Sequence, residues 1–316
     1  MRRVLALVVA ALLWPLAATA SAPRAAAQFW PAGVDFWVDS AMGPVKSRVF
    51  RAADGNTHRV VYALDGLRAR NDLNGWEIDT EVAQVLTAAG INVVMPVGGR
   101  SSFYADWIGP SNLNRQGVAY RWETFLTREL PTALRDRLQF SPVRNGVFGP
   151  SMGGSAALTL AAYHPDQFSF AASLSGFLNL SAPTSPEAIR LAMLSAGLFN
   201  SDSMFGPPWD PRWRRHDPFV FASRLKANNT RLFIAGGNGV PGLADLPTLS
   251  ANAAVDLSGA GLEFLADIQT RSFQVRARAL GMRNVRWYFP PAGIHNWINW
   301  AEAVNVMLPD LSATIG

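Results

Sequence analysis

The sequence predicts an α/β fold: one mainly parallel sheet, helices on both faces, and an inserted helical and aromatic segment. Three observations predict it. From residue 58 onward, short apolar runs alternate with longer stretches of helical period, and alternation of that kind builds parallel sheets. One strand–helix junction carries Gly149-Pro150-Ser151-Met152-Gly153, a G-x-S-x-G pattern that sets a serine on a sharp turn. The chain has 316 residues, 49% of them hydrophobic and 16% charged, enough for one large core.

The elements follow in order. His58–Leu64 reads as a strand, Glu77–Ala89 as a helix and Ile91–Val97 as a buried strand. Residues Trp122–Leu138 repeat Leu126, Leu130, Leu134 and Leu138 on one helical face. Asn145–Gly149 is a short strand running into Ser151, and Ser151–Tyr163 is a helix of small residues stopped at His164-Pro165. Phe168–Leu174, Arg231–Ala235 and Val285–Phe289 complete the strands. Residues 179–218 interrupt the alternation with a helix at Pro186–Ala196 and an aromatic, Pro-rich stretch, as expected of a segment that covers a pocket.

The N-terminus has the form of a secretory signal. Met1-Arg2-Arg3 precedes an apolar run, Val4–Leu13, and small residues offer cleavage after Ala27 or, second, after Ala22. The expected organisation is a signal peptide over 1–27 and a single domain over 28–316. No later segment is long and apolar enough to span a membrane, so a secreted or cell-envelope protein is expected. Three basic residues, Arg2, Arg3 and Arg24, lie in that acid-free segment, leaving +2 of the formal +5. The remaining basic residues are scattered, which argues against a nucleic acid partner. The absence of cysteine excludes disulfides, thiolate-bound metals and thiol nucleophiles. Nothing implies a metal or an organic cofactor.

A serine hydroxyl needs a base, and there are four histidines. His58 opens an early strand, His164 ends the serine's own helix where it would cap carbonyls, and His216 sits in the turn Arg-Arg-His-Asp-Pro. His295 follows the last strand, where the order serine, acid, histidine puts the base. The acid should lie between Ser151 and His295. Asp245, in the loop after Arg231–Ala235, and Glu263, near the start of the next helix, both qualify. The oxyanion donors are expected to be the backbone N–H groups of Met152 and of Leu67, in the loop after the early strand. Asp65 and Arg68 stand beside that loop, to bind a polar substrate group or to pair with each other. Phe205, Trp209 and Trp213, with Phe103 and Tyr104, would either exclude water and stack on a sugar or pack the core.

Several blocks carry a resemblance to a known family: ALDGLRARNDLNGWEIDT (63–80), VVMPVGGRSSFYADW (93–107), YRWETFLTRELP (120–131), NNTRLFIAGGNG (228–239) and FPPAGIHNWINW (289–300). In collinear order over most of the chain, the sequence resembles the antigen 85 mycolyltransferases. The resemblance implies an α/β-hydrolase fold and an exported acyltransferase that moves mycolic acid from trehalose monomycolate to a second trehalose monomycolate or to cell-wall arabinogalactan. It implies Glu263 as the acid, because Leu262-Glu263 precedes Phe273-Gln274 as in the family. It also implies that Ser151 is the nucleophile and His295 the base, that Leu67 and Met152 form the oxyanion hole, and that Asp65, Arg68 and Trp297 contact the substrate.

The chain also departs from the family. GPSMG stands where the family usually has GLSMA, Ala235 stands near a usual cysteine, and the cysteines before the WETFLT block are absent. Residues 81–90 lack the aromatic sequence that some members use for fibronectin, so that property is not expected. A non-catalytic branch of the family lacks triad residues, which this chain keeps. The alternatives are a secreted carboxylesterase on the same fold and a non-catalytic surface adhesion protein.

Overall fold

The computed structural model describes residues 33–246 and 253–316, with side chains from 258 in the second stretch. The proposed signal peptide lies outside the described residues.

Eight strands form one sheet in the order β1-β2-β4-β3-β5-β6-β7-β8. They are β1 Val34–Ser40, β2 Gly43–Phe50, β3 Val60–Ala63, β4 Asn92–Pro96, β5 Asn145–Pro150, β6 Phe168–Leu174, β7 Arg231–Ala235 and β8 Val285–Tyr288. The hairpin β1–β2 is antiparallel, as is the β2–β4 pair, and every pairing from β4 to β8 is parallel. The parallel strands are apolar almost throughout because helices cover both faces. The hairpin was not expected from the sequence.

Helices α1 Gly75–Asp79 and α2 Val82–Ala88 lie on one face with α10 Trp297–Thr314, where Trp76, Leu86, Val304 and Met307 share a core. The other face carries α3, α4 Met152–Tyr163, α8 Pro218–Ala227 and α9 Ala253–Ala279. Helix α3 consists of Trp122–Thr124, a π-turn over Phe125–Glu129, and Leu130–Leu138. Pro131 has no N–H to offer Thr127, and the helix widens just before it. Leu126, Leu130 and Leu134 are buried beneath it.

Two expectations of extent are corrected. The helix read over 77–89 is two helices. Thr80 is extended and its hydroxyl accepts from the Val82 N–H at 3.2 Å, which restarts the chain. Glu263 does not open its helix, because α9 begins ten residues earlier at Ala253.

The interrupting segment contains α5 Ser185–Gly197, α6 Ser201–Phe205 and α7 Pro211–Arg215. Of its aromatics, Phe205 and Trp213 are buried in the core, and only Trp209 is open, at 83% exposure. Phe103 and Tyr104 are buried as well, so four of these five side chains are packing, not a sugar-stacking surface. Glu123 of α3 ties the segment down. It accepts two hydrogen bonds from Arg215, at 2.6 and 3.0 Å, and one from His164 at 2.9 Å. His164 therefore pairs with a carboxylate instead of capping carbonyls with its ring. His216 bonds the Arg212 carbonyl at 2.9 Å and stacks on Phe205. His58 is exposed.

Candidate active site

The loops that follow β3 to β8 meet at the C-terminal ends of the parallel strands. Ser151 stands where β5 turns into α4, at φ 52° and ψ −120°. An L-residue adopts that conformation at a cost, and the surroundings must impose it. They do so through backbone contact. A Cβ on Gly149 would lie 2.7–3.0 Å from the backbone of Gly153, and the Ser151 N–H is held by the Leu174 carbonyl at 2.8 Å. The serine caps α4, so the N-terminal end of that helix faces its oxygen.

Gly153 meets a second constraint. A Cβ there would lie 2.5 Å from the Asp65 carbonyl. The loop after β3 thus presses on the start of α4, where this chain has glycine in GPSMG. Leu67 lies two residues beyond that contact in the same loop, and Met152 is the residue before Gly153. Among the described residues, neither N–H donates to another backbone carbonyl. Their positions are fixed from the flanks. The Leu67 carbonyl accepts from the Ser101 N–H at 2.9 Å, and the Met152 sulfur accepts from the Phe103 N–H at 3.1 Å. Ser101, Phe103 and Tyr104 all have positive φ, between 47° and 58°, so the loop that holds both donors is itself under strain.

His295 lies after β8 and Glu263 projects from α9. Their side chains meet at 2.7 Å, Nδ1 to Oε2. Glu263 is 1% exposed. Its other oxygen accepts from the Ser175 hydroxyl at 2.7 Å and from the Gly237 N–H at 2.5 Å. Ser175 in turn accepts from the Trp300 indole at 3.1 Å. A buried carboxylate with this many donors is oriented as well as stabilised. Among the described residues the Ser151 hydroxyl makes no hydrogen bond, to His295 or to any other side chain.

Asp245, the competing acid, is fully buried and serves the histidine from behind. Its Oδ1 accepts from Asn296 at 2.7 Å and Asn299 at 2.9 Å, and its Oδ2 from the Gly242 N–H at 2.7 Å. The carboxylate clamps the turn that carries His295. No signal in the sequence set Asn296 and Asn299 apart as its partners, and Ser175 was equally unmarked.

Asp65 and Arg68 do not pair. Asp65 is buried, accepting from the Gly66 N–H at 2.6 Å and the Gly75 N–H at 2.8 Å, and its own N–H donates to the Tyr104 hydroxyl at 2.9 Å. Burial pushes its carboxyl up to about 6 against those hydrogen bonds. Arg68 is exposed and reaches Ser195 of α5 at 3.2 Å. Trp297 opens α10, half-buried, with its ring edge-on to Trp76 and Trp300 and close against Gly75. Among the described residues, no three His, Asp or Glu side chains gather as metal ligands.

This geometry is matched by sequence. The esterase family model covers residues 44–311. The diacylglycerol acyltransferase/mycolyltransferase Ag85C of Mycobacterium avium is 41% identical over 99% of this chain and 87% of its own length. The chain belongs to the antigen 85 esterase family. Another relative, the diacylglycerol acyltransferase/mycolyltransferase Ag85B of Mycolicibacterium smegmatis, is 43% identical over 84% of this chain and 80% of that protein. Among solved structures, MPT51 (FbpC1) of Mycobacterium tuberculosis superposes with a TM-score of 0.77 at 32% identity, over 90% of this chain and 99% of that one. The fluorophosphonate-binding serine hydrolase FphF of Staphylococcus aureus, at 15% identity and a TM-score of 0.65, covers 89% of this chain and 98% of its own and shares the α/β-hydrolase fold.

Proposed function

We propose that the chain is an exported serine acyltransferase that moves a mycolyl group from trehalose monomycolate to a second trehalose monomycolate or to cell-wall arabinogalactan. The observation that carries the reading is the 2.7 Å bond between His295 and buried Glu263, at the sheet edge where Ser151 is held in its strained turn. The names of the relatives supply the acyl group. In the first step His295 takes the Ser151 proton, and Oγ bonds to the ester carbon. The N–H groups of Leu67 and Met152 hold the oxyanion, a role in which one lost donor typically costs about 10²–10³ in rate. The carbon–oxygen bond to trehalose breaks, and trehalose leaves with the proton from His295. In the second step an acceptor hydroxyl gives its proton to His295 and attacks the acyl carbon; the bond to Ser151 Oγ breaks, and His295 returns the proton to Oγ. Arg68 and Trp297 contact the substrate, and Asp65, buried with both oxygens on backbone N–H groups, positions the loop that carries Arg68.

The signal peptide at 1–27 and the domain at 28–316 belong to this proposal, with residues 179–218 as the domain's insertion. Among the described residues no helix is long and apolar enough to cross a membrane.

The test is product analysis. The chain from Gln28 onward, incubated with trehalose monomycolate, should yield diacyl trehalose, and the Ser151→Ala variant should yield none. Free acid alone would make the protein an esterase. No product, together with no labelling of Ser151 by a fluorophosphonate, would make it an adhesion protein.

A further inference from the structure

Two carboxylates competed for one place in the site, and the fold employs both. Glu263 meets the ring of His295. Asp245 holds the turn behind that ring, from the loop after β7. This loop is bonded to the His295 loop at several points. The Asn238 side chain donates to the Pro291 carbonyl at 2.7 Å, the Gly293 N–H to the Val240 carbonyl at 2.7 Å, and the Gly239 N–H to the Gly293 carbonyl at 3.0 Å. Its first residues reach the acid too, since the Gly237 N–H donates to Glu263. At its far end a single oxygen of Asp245 accepts from both Asn296 and Asn299. The same Asn299 amide donates to the Ile294 carbonyl at 3.0 Å and to Asn296 Oδ1 at 2.9 Å, and Asn296 Oδ1 also accepts the Asn299 N–H at 3.0 Å.

These bonds end on Ile294, Asn296 and Asn299, to either side of His295 in the chain. The His295 N–H itself donates to the Gly259 carbonyl of α9 at 3.3 Å, about one turn before Glu263. Two things place an imidazole: the partner of its ring nitrogen and the backbone that carries it. Glu263 supplies the first, and the network around Asp245 supplies the second. A hydrogen bond as short as that between His295 and Glu263 tolerates little displacement of the ring. A shift of about 1 Å in a reacting group can cost roughly 10²-fold in rate. We propose that Asp245 is a positioning residue for the general base: through Asn296 and Asn299 it fixes where His295 stands between Glu263 and Ser151. This rests on the reading of Ser151 as nucleophile and His295 as base, and it adds a second carboxylate to the machinery that supports them.

The rate at which a fluorophosphonate labels Ser151 reads the nucleophile and its base without an acceptor. Well below both thermal midpoints, Asp245→Ala should label about 10²-fold more slowly than the wild-type chain. With a short-chain p-nitrophenyl ester the loss should fall on kcat, with KM within about twofold. Asp245→Asn keeps an oxygen for the two amides and should restore labelling to within about tenfold of the wild-type rate. Asn299→Ala should slow labelling about tenfold, and adding it to Asp245→Ala should cost little more, because both act through one network. A lowered thermal midpoint with unchanged labelling would make Asp245 a staple between loops and overturn the proposal, as would additive effects of the two alanines. The proton on His295 Nδ1 gives a second readout that needs no reaction. Held by Glu263, it should appear far downfield in the proton spectrum, assigned by its loss in His295→Ala. It should persist in Asp245→Asn and broaden away in Asp245→Ala, and its survival in the alanine variant overturns the proposal. If Asp245→Ala does not fold, Asn299→Ala carries both readouts. A wild-type chain that the fluorophosphonate leaves unlabelled would refute the nucleophile reading separately, while the Nδ1 proton would still test the hold of Asp245 on the ring.

Discussion

At the scale of single residues, Asp65 makes the most unusual electrostatic demand. Its folded value of about 6 lies above the ordinary 3.8. The fold therefore binds this proton more tightly than the unfolded chain does. That contribution is whole below about pH 4 and is lost as pH rises through 6. The displacement corresponds to about 3 kcal/mol. Relative to Asp65→Asn, the wild-type chain should lose stability of that order between pH 4 and 7, read from urea midpoints across the series. A difference that stays flat with pH would show that the carboxyl ionises normally. The residues of the site were unevenly legible. Ser151 announced itself by its glycines, and His295 by its place after the last strand. By position alone Asp245 and Glu263 stayed level, because both are carboxylates in the right interval; the family resemblance chose Glu263, and the structure places it against the imidazole with Asp245 behind the loop. Ser175 reaches Glu263 from the end of β6, and Trp300 of α10 reaches it only through Ser175; no local pattern encodes such a meeting.

At the scale of elements, the crossing of β5 and α4 fixes the nucleophile. The Gly149 Cα faces the backbone of Gly153, with no side chain there to move aside. Gly149→Ala should therefore shift the start of α4 and, with it, the Met152 N–H. The expected result is a fall of about 10²-fold in kcat, the cost of one displaced oxyanion donor, with a smaller change in KM. Unchanged kcat would mean that the turn tolerates a methyl group there. The parallel strands were legible because burial on both faces makes them continuous apolar runs. The β1–β2 hairpin was not. On β1, Phe36 and Val38 are buried while Trp37 between them is exposed, and a short edge strand buried on one face is a weaker signal than a solid run. The break at Thr80 was hidden because both flanking helices keep one apolar face across it.

At the scale of the whole molecule, Glu123 joins three parts: α3, the end of α4 at His164, and the interrupting segment at Arg215. Burial opposes ionisation of Glu123, but the hydrogen bonds from His164 and Arg215 outweigh it and hold its pKa down at about 2. The sign is opposite to that at Asp65. This contribution, of order 3 kcal/mol, is present above about pH 4.5 and is lost as pH falls toward 2. Glu123→Gln should therefore lower the thermal midpoint at pH 7 and make much less difference at pH 2.5, as followed by circular dichroism. An equal effect at both pH values would count against the ion pair as the source.

The same junction has a mechanical consequence. With Arg215 gripped by Glu123 in two hydrogen bonds, the interrupting segment and helix α3 move as one frame. The chain offers no native thiol, so cysteines introduced at the exposed Trp209 and Arg128 would carry the only nitroxide labels. Electron-spin spectroscopy should then return a single narrow distance distribution, broadening only when Glu123 is replaced.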